Sequence, residues 1–220
     1  MGGNKSNILN QDKELLESRG IYFTSQVYTM PEIKDHGGAN KYLFAYFQKA
    51  QIVDGIEDEL RQAFIVQTPP SSENSVLLKE IQAQNSVCLH IRRGDYALYP
   101  QLQVCTAPYY ATAVRQAQET LVNPVFYVFS TGHEDIEWVR QNYHFEGDFR
   151  YVDLDNVDYE ELRLMMACKH FIISNSTFSW WAAVLSSEAS DKKVWAPSPW
   201  LARSSVEMQL PGWSVIDTAS

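Results

Sequence analysis

From Ser86 onward, short apolar runs alternate with amphipathic segments along the chain. The apolar runs have the length and the β-branched and aromatic content of strands that are buried on both faces. The amphipathic segments between them predict single helices. Because buried strands separated by single helices are typical of a parallel, doubly wound sheet, we predict an α/β fold of the Rossmann type.

Five strands and four connecting helices make up this prediction. In such sheets a ligand binds beyond the carboxyl ends of the strands, so the residues that follow each strand are candidates for a site. A cap at Thr106, with Pro108 in the first turn, begins the first helix. The predicted strands are Val87–Ile91, Val125–Ser130, Phe149–Asp153, Phe171–Ser174 and Lys193–Ala196, and the predicted helices are Tyr109–Leu121, Glu134–Tyr143, Asp158–His170 and Phe178–Leu185.

The chain before this pattern is less regular. Ile21–Tyr28 predicts a strand, and Ile56–Phe64 predicts a helix. Thr68–Asn74 predicts a loop, and Val76–Gln84 predicts a helix that leads into the first strand of the sheet. We therefore divide the chain into a partial lobe over residues 1–80 and a larger domain over residues 81–220.

Two adjacent arginines, Arg92 and Arg93, follow the first predicted strand in the stretch His90–Tyr96. Alternation along the strand puts His90 and Arg92 on one face and Arg93 on the other. A guanidinium binds phosphate in a bidentate manner and keeps its charge at all relevant pH values. Asp95 could pair with Arg93 or with a backbone amide. These residues predict an anion site at the end of the strand.

A second polar stretch, Ser174–Ser179, follows the fourth predicted strand and begins a helix. The first N–H groups of a helix have no partner within it and carry a partial positive charge, so they attract anions. The hydroxyls of Ser176, Thr177 and Ser179 add donors there. With an arginine at the neighbouring strand end, this turn would make a pyrophosphate clamp that needs no metal. The nearest D-x-D pattern, Asp153–Asp155, is not taken as a metal site.

The overall charge and the cysteines restrict the partners and the setting. A net charge of −9 argues against nonspecific nucleic-acid binding, which needs a basic face, so an anion must be bound by a few local donors. Cys88, Cys105 and Cys168 are too scattered for a disulfide framework or a zinc knuckle. With no secretory or membrane-spanning stretch in the sequence, we expect a cytoplasmic chain. Met1–Ser6 fits the loose N-myristoylation pattern, which would make the chain peripheral to a membrane.

Other interpretations of both polar stretches stay open at this point. Hydroxyl residues begin many helices that bind no ligand, and paired arginines at a strand end are often solvated. His90 within an apolar run is more often a core residue than a base. Arg93-Gly94-Asp95 is also an adhesion tripeptide, which would need an exposed hairpin tip on a secreted protein. Asn175-Ser176-Thr177 matches a glycosylation acceptor, although it lies between two apolar stretches.

Several stretches combine into an ordered set of motifs. His90–Tyr96 reads H-x-R-R-G-D-Y, and Phe129-Ser130 is followed by an acid-rich turn and a Trp-containing helix over His133–Trp138. Further on, Met165–His170 precedes the N-S-T-F-S-W-W stretch Asn175–Trp181. Together these motifs resemble the α-1,2-fucosyltransferases of glycosyltransferase family 11. Weaker similarity reaches back to Tyr46–Gln48 and Ile56–Arg61, so the resemblance covers roughly residues 40 to 200.

The resemblance implies an inverting enzyme, a galactoside 2-alpha-L-fucosyltransferase. Such an enzyme moves L-fucose from GDP-β-L-fucose to the 2-hydroxyl of a terminal galactose-type glycan acceptor, without an essential metal or a separate cofactor. The implied fold is GT-B-like, with two Rossmann-type lobes and the donor bound mainly by the C-terminal one. Residues 81–220 would then bind GDP-fucose, and residues 1–80 would be a partial, acceptor-side lobe.

The resemblance also implies roles for individual residues. Arg92 would bind the GDP phosphates and help to stabilise the leaving group, and Arg93 is a second candidate for that task. Asp95 would orient Arg92 or the acceptor. The general base stays open between His90, Asp95 and Glu134. Further phosphate donors would come from Asn175, Ser176, Thr177, Phe178 and Ser179.

One part of the family pattern has no counterpart in this sequence. The family begins with a strand that leads into a glycine-rich G-G-L-G-N-Q stretch, whereas Met1–Asn4 follows no strand. We therefore expect an incomplete N-terminal lobe. Three hypotheses follow: an active fucosyltransferase, a GDP-sugar-binding remnant with little or no transferase activity, and a non-enzymatic Arg-Gly-Asp interaction module.

Overall fold

The computed structural model describes residues 12–23, 40–44, 48–187, 191–202 and 206–218. The chain divides into two units, Met1–Ile52 and Val53–Ser220. In the first unit, helix α1 (Lys13–Ser18) precedes two short parallel strands, β1 (Ile21–Phe23) and β2 (Tyr42–Phe44). The strand predicted at residues 21–28 is confirmed over its first three residues; its remainder, like the motif at residues 1–6, lies outside the described residues.

In the described part of the second unit, the strands form one six-stranded parallel sheet. The chain starts in the middle of the sheet, builds outward to one edge, returns to the middle and builds to the other edge. This topology confirms the predicted doubly wound α/β fold. Across the sheet, the strand order is β5-β4-β3-β6-β7-β8. In chain order, the strands are β3 (Ser86–His90), β4 (Val125–Phe129), β5 (Asp148–Tyr151), β6 (His170–Ile172), β7 (Val194–Ser198) and β8 (Ser214–Asp217).

Helices precede the sheet and connect most of its strands. The predicted connecting helices are confirmed, with ends that differ by a few residues. 3-10 helices at Gly94–Leu98 and Pro100–Leu102 lie between β3 and the α-helix that begins at Ala107. The α-helices are α2 (Glu57–Ala63), α3 (Ser72–Ala83), α4 (Ala107–Thr120), α5 (His133–Asn142), α6 (Asp158–Met166) and α7 (Thr177–Leu185). No helix in the described ranges is long and apolar enough to cross a membrane.

Two local predictions need correction. The loop predicted over residues 68–74 ends early, because Ser71 Oγ accepts a 3.1 Å hydrogen bond from the N–H of Asn74 and so begins α3 at Ser72. The edge strand β8 was not predicted. Its four residues bury only Ile216, so the sequence carries too little alternation to mark a strand.

All five residues of strand β3 are buried, and an apolar cluster covers one of its faces. Val87, Leu89 and Ile91 are buried in one apolar cluster with Tyr109 and Tyr110 of α4. Full burial of an aliphatic side chain contributes about 1.5–3 kcal/mol relative to exposure, so the strand has a firm register in the sheet. The polar residues that follow the strand therefore leave the core at a defined place.

Candidate functional site

The carboxyl ends of β3 and β6 lie side by side in the middle of the sheet. The chain proceeds from β3 to β4 and from β6 to β7, so the two connections leave toward opposite edges. Such a reversal of strand order opens a crevice in which α/β proteins bind ligands. At the base of the crevice, His90 Nδ1 lies 2.9 Å from Ser174 Oγ.

Arg92 stands at the end of β3, and neighbouring side chains hold its guanidinium. It forms an ion pair with Asp95, and its Nη1 donates a 2.8 Å hydrogen bond to Thr131 Oγ1. Its Cζ lies 5.1 Å from the centroid of the Tyr96 ring. The side chain keeps 26% of its surface exposed, so this positioned cation remains accessible to an anion.

Arg93 points in a different direction and has its own partners. Its Nε donates a 3.1 Å hydrogen bond to Asp135 Oδ1, and its Cζ lies 3.3 Å from the centroid of the Trp138 ring. Asp95 does not pair with Arg93, one of the two partners considered for it from the sequence, since Asp135 takes that place. Asp95 pairs instead with Arg92, the residue that the resemblance implies it orients. The two arginines therefore occupy separate environments.

Gly94 allows the backbone to turn sharply between these side chains. Its φ is +48°, and a Cβ at this position would lie 3.0 Å from Thr131 Cγ2. A side chain at residue 94 would therefore press on Thr131, which accepts a hydrogen bond from Arg92. Since Arg93-Gly94-Asp95 runs into a 3-10 helix and Arg93 packs on Trp138, it forms no hairpin tip of the kind an adhesion motif needs.

The turn between β6 and α7 is held by its own polar groups. Ser176 caps α7, and its Oγ accepts a 3.3 Å hydrogen bond from the N–H of Phe178. Asn175 is buried, and its Nδ2 donates to the carbonyl of Leu102 at 2.9 Å. The Ser179 hydroxyl is also buried and donates to the carbonyl of Ser176 at 3.2 Å. Asn175 and Ser179 thus use their side chains to shape the turn.

A cavity of about 330 Å³ opens between Arg92 and the N-terminus of α7, and we call it the α7 cavity. The guanidinium and the first turn of the helix face the same space, which is the arrangement predicted for a pyrophosphate clamp. A phosphate in this cavity would meet a fixed cation and helix N–H groups together. Its lining includes His90, Arg92, Tyr96, Thr131, Asp158, Glu161, Ser176, Thr177 and Phe178.

Two further cavities adjoin the α7 cavity. The α5 cavity, of about 290 Å³, lies on the side of Arg93 and Trp138 and shares Arg92 with the α7 cavity. The β5 cavity, of about 570 Å³, shares Glu161 and is also lined by Asp153, which pairs with His133 at 2.9 Å. Within the described ranges, no three His, Cys, Asp or Glu side chains are grouped so as to hold a metal ion.

Two titratable groups of the α7 cavity have shifted pKa values. Burial, and secondly the positive charge of Arg92, lowers the pKa of His90 to about 3. Burial, and secondly the negative charge of Asp158, raises the pKa of Glu161 from 4.5 to about 7. The imidazole therefore stays neutral across the physiological pH range, whereas the Glu161 carboxyl changes its charge within it.

The structure brings only some of the predicted site residues together. His90, Arg92, Ser176, Thr177 and Phe178 line the α7 cavity, with Asp95 paired to Arg92 beside it. The remaining residues lie elsewhere: Arg93 and Asn175 line the α5 cavity, Ser179 is buried within the turn, and the exposed Glu134 lines none of these three cavities.

Residues from other elements complete the α7 cavity, and the sequence did not predict them. Thr131 follows β4, while Asp158 and Glu161 lie one turn apart on α6. The run Asp158–Glu161 looks like the acidic first turn of any surface helix, so only the packing of α6 reveals that Glu161 faces a cavity.

Comparison with known proteins gives consistent matches. The sequence model of glycosyl transferase family 11 matches residues 14–217. The chain is 31% identical over 170 residues to the O-antigen biosynthesis glycosyltransferase WbnK of Escherichia coli, covering 73% of this chain and 55% of that protein. It is 36% identical over 131 residues to the alpha-1,2-colitosyltransferase of Escherichia coli, covering 56% of this chain and 43% of that protein.

A mammalian relative matches a similar part of the chain. The galactoside 2-alpha-L-fucosyltransferase Sec1 of Mus musculus is 28% identical over 142 residues, which cover 59% of this chain and 38% of that protein. The chain thus spans about half the length, or less, of these relatives.

Proposed function

Because the chain belongs to glycosyl transferase family 11, we propose that it transfers L-fucose from GDP-β-L-fucose to the 2-hydroxyl of a terminal galactose-type acceptor. The names of two relatives support the α-1,2 linkage, and one of them supports a galactoside acceptor. The relative named for colitose supports a second candidate donor, GDP-colitose. The observation that carries the proposal is the α7 cavity, where Arg92 faces the N-terminus of a helix.

In the proposed reaction, the GDP diphosphate lies in the α7 cavity. The bond between C1 of the sugar and the β-phosphate oxygen breaks, and its electron pair stays on the phosphate. Arg92 and the N–H groups of α7 would stabilise this negative charge, with the Ser176 and Thr177 hydroxyls beside them. The acceptor oxygen forms its bond to C1 from the opposite face, which inverts the configuration, and the hydroxyl proton passes to a base.

Among the three candidates for that base, the geometry favours Asp95. Like Glu134, it lines none of the three cavities, but its carboxylate pairs with Arg92, which lines the proposed phosphate site, so of the two it is the one placed to accept the proton or orient the acceptor. His90 is a weak base, since its pKa is lowered to about 3, and we propose that it acts as a neutral hydrogen-bonding group. Glu134 is exposed on the first turn of α5 and lines none of the described cavities.

Glu161 suits recognition of the nucleobase rather than of the phosphates. Guanine presents two neighbouring N–H donors, N1–H and the 2-amino group, and an ionised carboxylate can accept both. Glu161 lines the α7 cavity together with Arg92, so one nucleotide could contact both side chains. We propose that Glu161 selects guanine, which agrees with a GDP-sugar donor.

Calorimetry with GDP and a transfer assay test this proposal. Hydrogen bonds to charged groups contribute about 1.5–3 kcal/mol, so Arg92→Ala should weaken GDP binding about 10- to 100-fold and abolish measurable transfer to a β-galactoside. Arg115→Ala is the matched control, because Arg115 lies on the exposed side of α4 and pairs with Glu119 on the same helix. Both sugar donors, GDP-fucose and GDP-colitose, are assayed in parallel.

Each outcome of this experiment has a defined meaning. GDP binding without transfer would identify a donor-binding remnant. Absence of GDP binding by the unmodified chain at millimolar concentration would overturn both the transferase and the remnant hypotheses. Unchanged affinity and activity in Arg92→Ala would remove Arg92 from the proposed mechanism.

A further inference from the structure

The α5 cavity lies on the other side of Arg92 from the proposed nucleotide site. Arg92 lines both cavities, so a ligand in the α5 cavity would adjoin a diphosphate bound in the α7 cavity. Although residues 1–80 are expected to form the acceptor-side lobe, we propose that the α5 cavity, lined by residues of the larger unit, is the subsite for the acceptor sugar itself, a neutral pyranose. This inference rests on the proposed function, because it takes the α7 cavity as the place of the nucleotide.

The charges around the α5 cavity favour a neutral ligand. None of the described residues that line it is a carboxylate, so it offers nothing to balance a cation. Its second arginine, Arg93, is paired with Asp135 at 3.1 Å and covered on one side by the Trp138 ring. Arg93 therefore already has an enclosed counter-charge, since the Asp135 side chain is 18% exposed, whereas the Asp95 side chain that pairs with Arg92 is 57% exposed.

The uncharged lining of the α5 cavity suits a sugar. Trp138 and Tyr143 place aromatic rings in the lining, and their rings meet edge to face with centroids 5.9 Å apart. Arg93 covers one face of Trp138 and Phe145 stacks on Tyr143, so a sugar would contact the ring surface that these neighbours leave uncovered. Gln103 and Thr106 offer groups that both donate and accept hydrogen bonds, as sugar hydroxyls require. A mixed aromatic and polar lining of this kind recognises a ligand with an apolar face and many hydroxyls.

The size of the α5 cavity indicates how much of an acceptor it holds. Its volume of about 290 Å³ is just below the ~300–1,000 Å³ that is usual for ligand pockets. We therefore assign it one monosaccharide, with the rest of a glycan extending outward. The 3-10 segment beside the cavity exposes Leu98 and Tyr99, which offer surface to such an extension.

The walls of the α5 cavity are held in place before any ligand binds. The buried Asn175 side chain donates to the carbonyl of Leu102, and Gln103 Nε2 donates to the carbonyl of Ala97 at 3.0 Å. The Tyr143 ring also packs edge to face on Tyr110 of α4. A preformed wall lowers the entropic cost of binding a small neutral ligand, which has few strong contacts to offset it.

Ala97→Trp tests this assignment by filling the α5 cavity. Ala97 is exposed and lines the cavity, and the substitution keeps its carbonyl, which Gln103 uses. Thr106→Phe is a second blocking variant, since the Thr106 hydroxyl makes no capping hydrogen bond to α4. Ala111→Trp, on the exposed face of α4 and outside the lining of the described cavities, is the matched control.

The measurements are calorimetry with GDP and saturation-transfer NMR with methyl β-D-galactopyranoside in the presence of saturating GDP. We expect both blocking variants to bind the galactoside at least about tenfold more weakly, while their GDP dissociation constants stay within about twofold of the unmodified chain. Where activity is measurable, hydrolysis of GDP-fucose by water should persist in the blocking variants, whereas transfer to the galactoside should fall.

Several results would overturn the assignment. They are unchanged galactoside binding in both blocking variants, loss of galactoside binding in the Ala111→Trp control, and loss of GDP binding together with galactoside binding. Absence of galactoside binding by an unmodified chain that binds GDP would also overturn it. An unmodified chain that binds no GDP would instead show that the proposed function has failed, so the two failures are distinguishable.

Discussion

Asp135 and Gly94 are joined by a 2.8 Å hydrogen bond from the backbone N–H of Gly94 to Asp135 Oδ2, across 41 residues of sequence. The other carboxylate oxygen of Asp135 accepts from Arg93 Nε. One side chain on α5 thus holds the segment that follows β3 at two points, the backbone of Gly94 and the side chain of Arg93. Because Arg92 directly precedes Arg93 in the chain, we expect its orientation to depend on this anchor.

Asp135→Asn should weaken the anchor without changing its shape. The amide retains one acceptor oxygen, so one of the two hydrogen bonds is lost and Arg93 loses its counter-charge. We expect the free energy of unfolding to fall by about 1–2 kcal/mol and GDP binding to weaken about five- to tenfold. Urea denaturation and calorimetry measure these two quantities.

Asp148→Asn is the matched control for that variant. It removes a carboxylate that pairs with Arg150 on β5, and it lines none of the cavities described above. If both variants affect GDP binding equally, the anchoring role of Asp135 is wrong.

The strands and their polar ends were predictable because they depend on local patterns. Full burial of β3 and β4 makes them continuous apolar runs, and strand alternation separated Arg92 from Arg93 correctly. Helix N-termini are equally local, so the first turn of α7 was found from its hydroxyl residues. For these features, neighbours in sequence determine the environment.

The remaining parts of the site depend on distant contacts that no local pattern records. Asn175 has the polarity of a ligand-binding residue, but its amide is used by Leu102, which lies 73 residues away. Glu161 has the pattern of a solvated helix, but the packing of α6 turns it into the α7 cavity. Polar side chains of the same type therefore either stabilise the fold or line a cavity, depending on their tertiary contacts.

Gly94→Ala should damage the site through Thr131. The substitution places a Cβ 3.0 Å from Thr131 Cγ2 in a backbone with φ of +48°, where a side chain is unfavourable. We expect a loss of about 1–3 kcal/mol in the free energy of unfolding and weaker GDP binding, because Thr131 must move away from Arg92. Thermal denaturation and calorimetry measure both effects.

Thr131→Ser provides the second half of this experiment. Serine lacks the Cγ2 methyl group but keeps the hydroxyl that accepts from Arg92 Nη1. The double variant Gly94→Ala/Thr131→Ser should therefore recover part of the stability and of the GDP affinity. Strictly additive losses in the double variant would show that contact with Thr131 is not the cause.

The pKa of Glu161 leads to a prediction about pH. Burial raises this pKa to about 7, whereas the unfolded chain loses the same proton near pH 4.5. The contribution of Glu161 to the free energy of unfolding therefore falls as the pH rises from about 4.5 to 7. GDP should bind more tightly at pH 8 than at pH 6, because only the carboxylate accepts both guanine N–H groups.

Glu161→Gln should flatten both the pH dependence of stability and that of GDP binding. It should also reduce the preference for GDP over IDP, which lacks the 2-amino group. Calorimetry at several pH values measures the affinities for GDP and IDP. Asp155→Asn is the control, because Asp155 lines the β5 cavity but not the α7 cavity. Equal effects of the two variants would exclude the proposed contact between Glu161 and guanine.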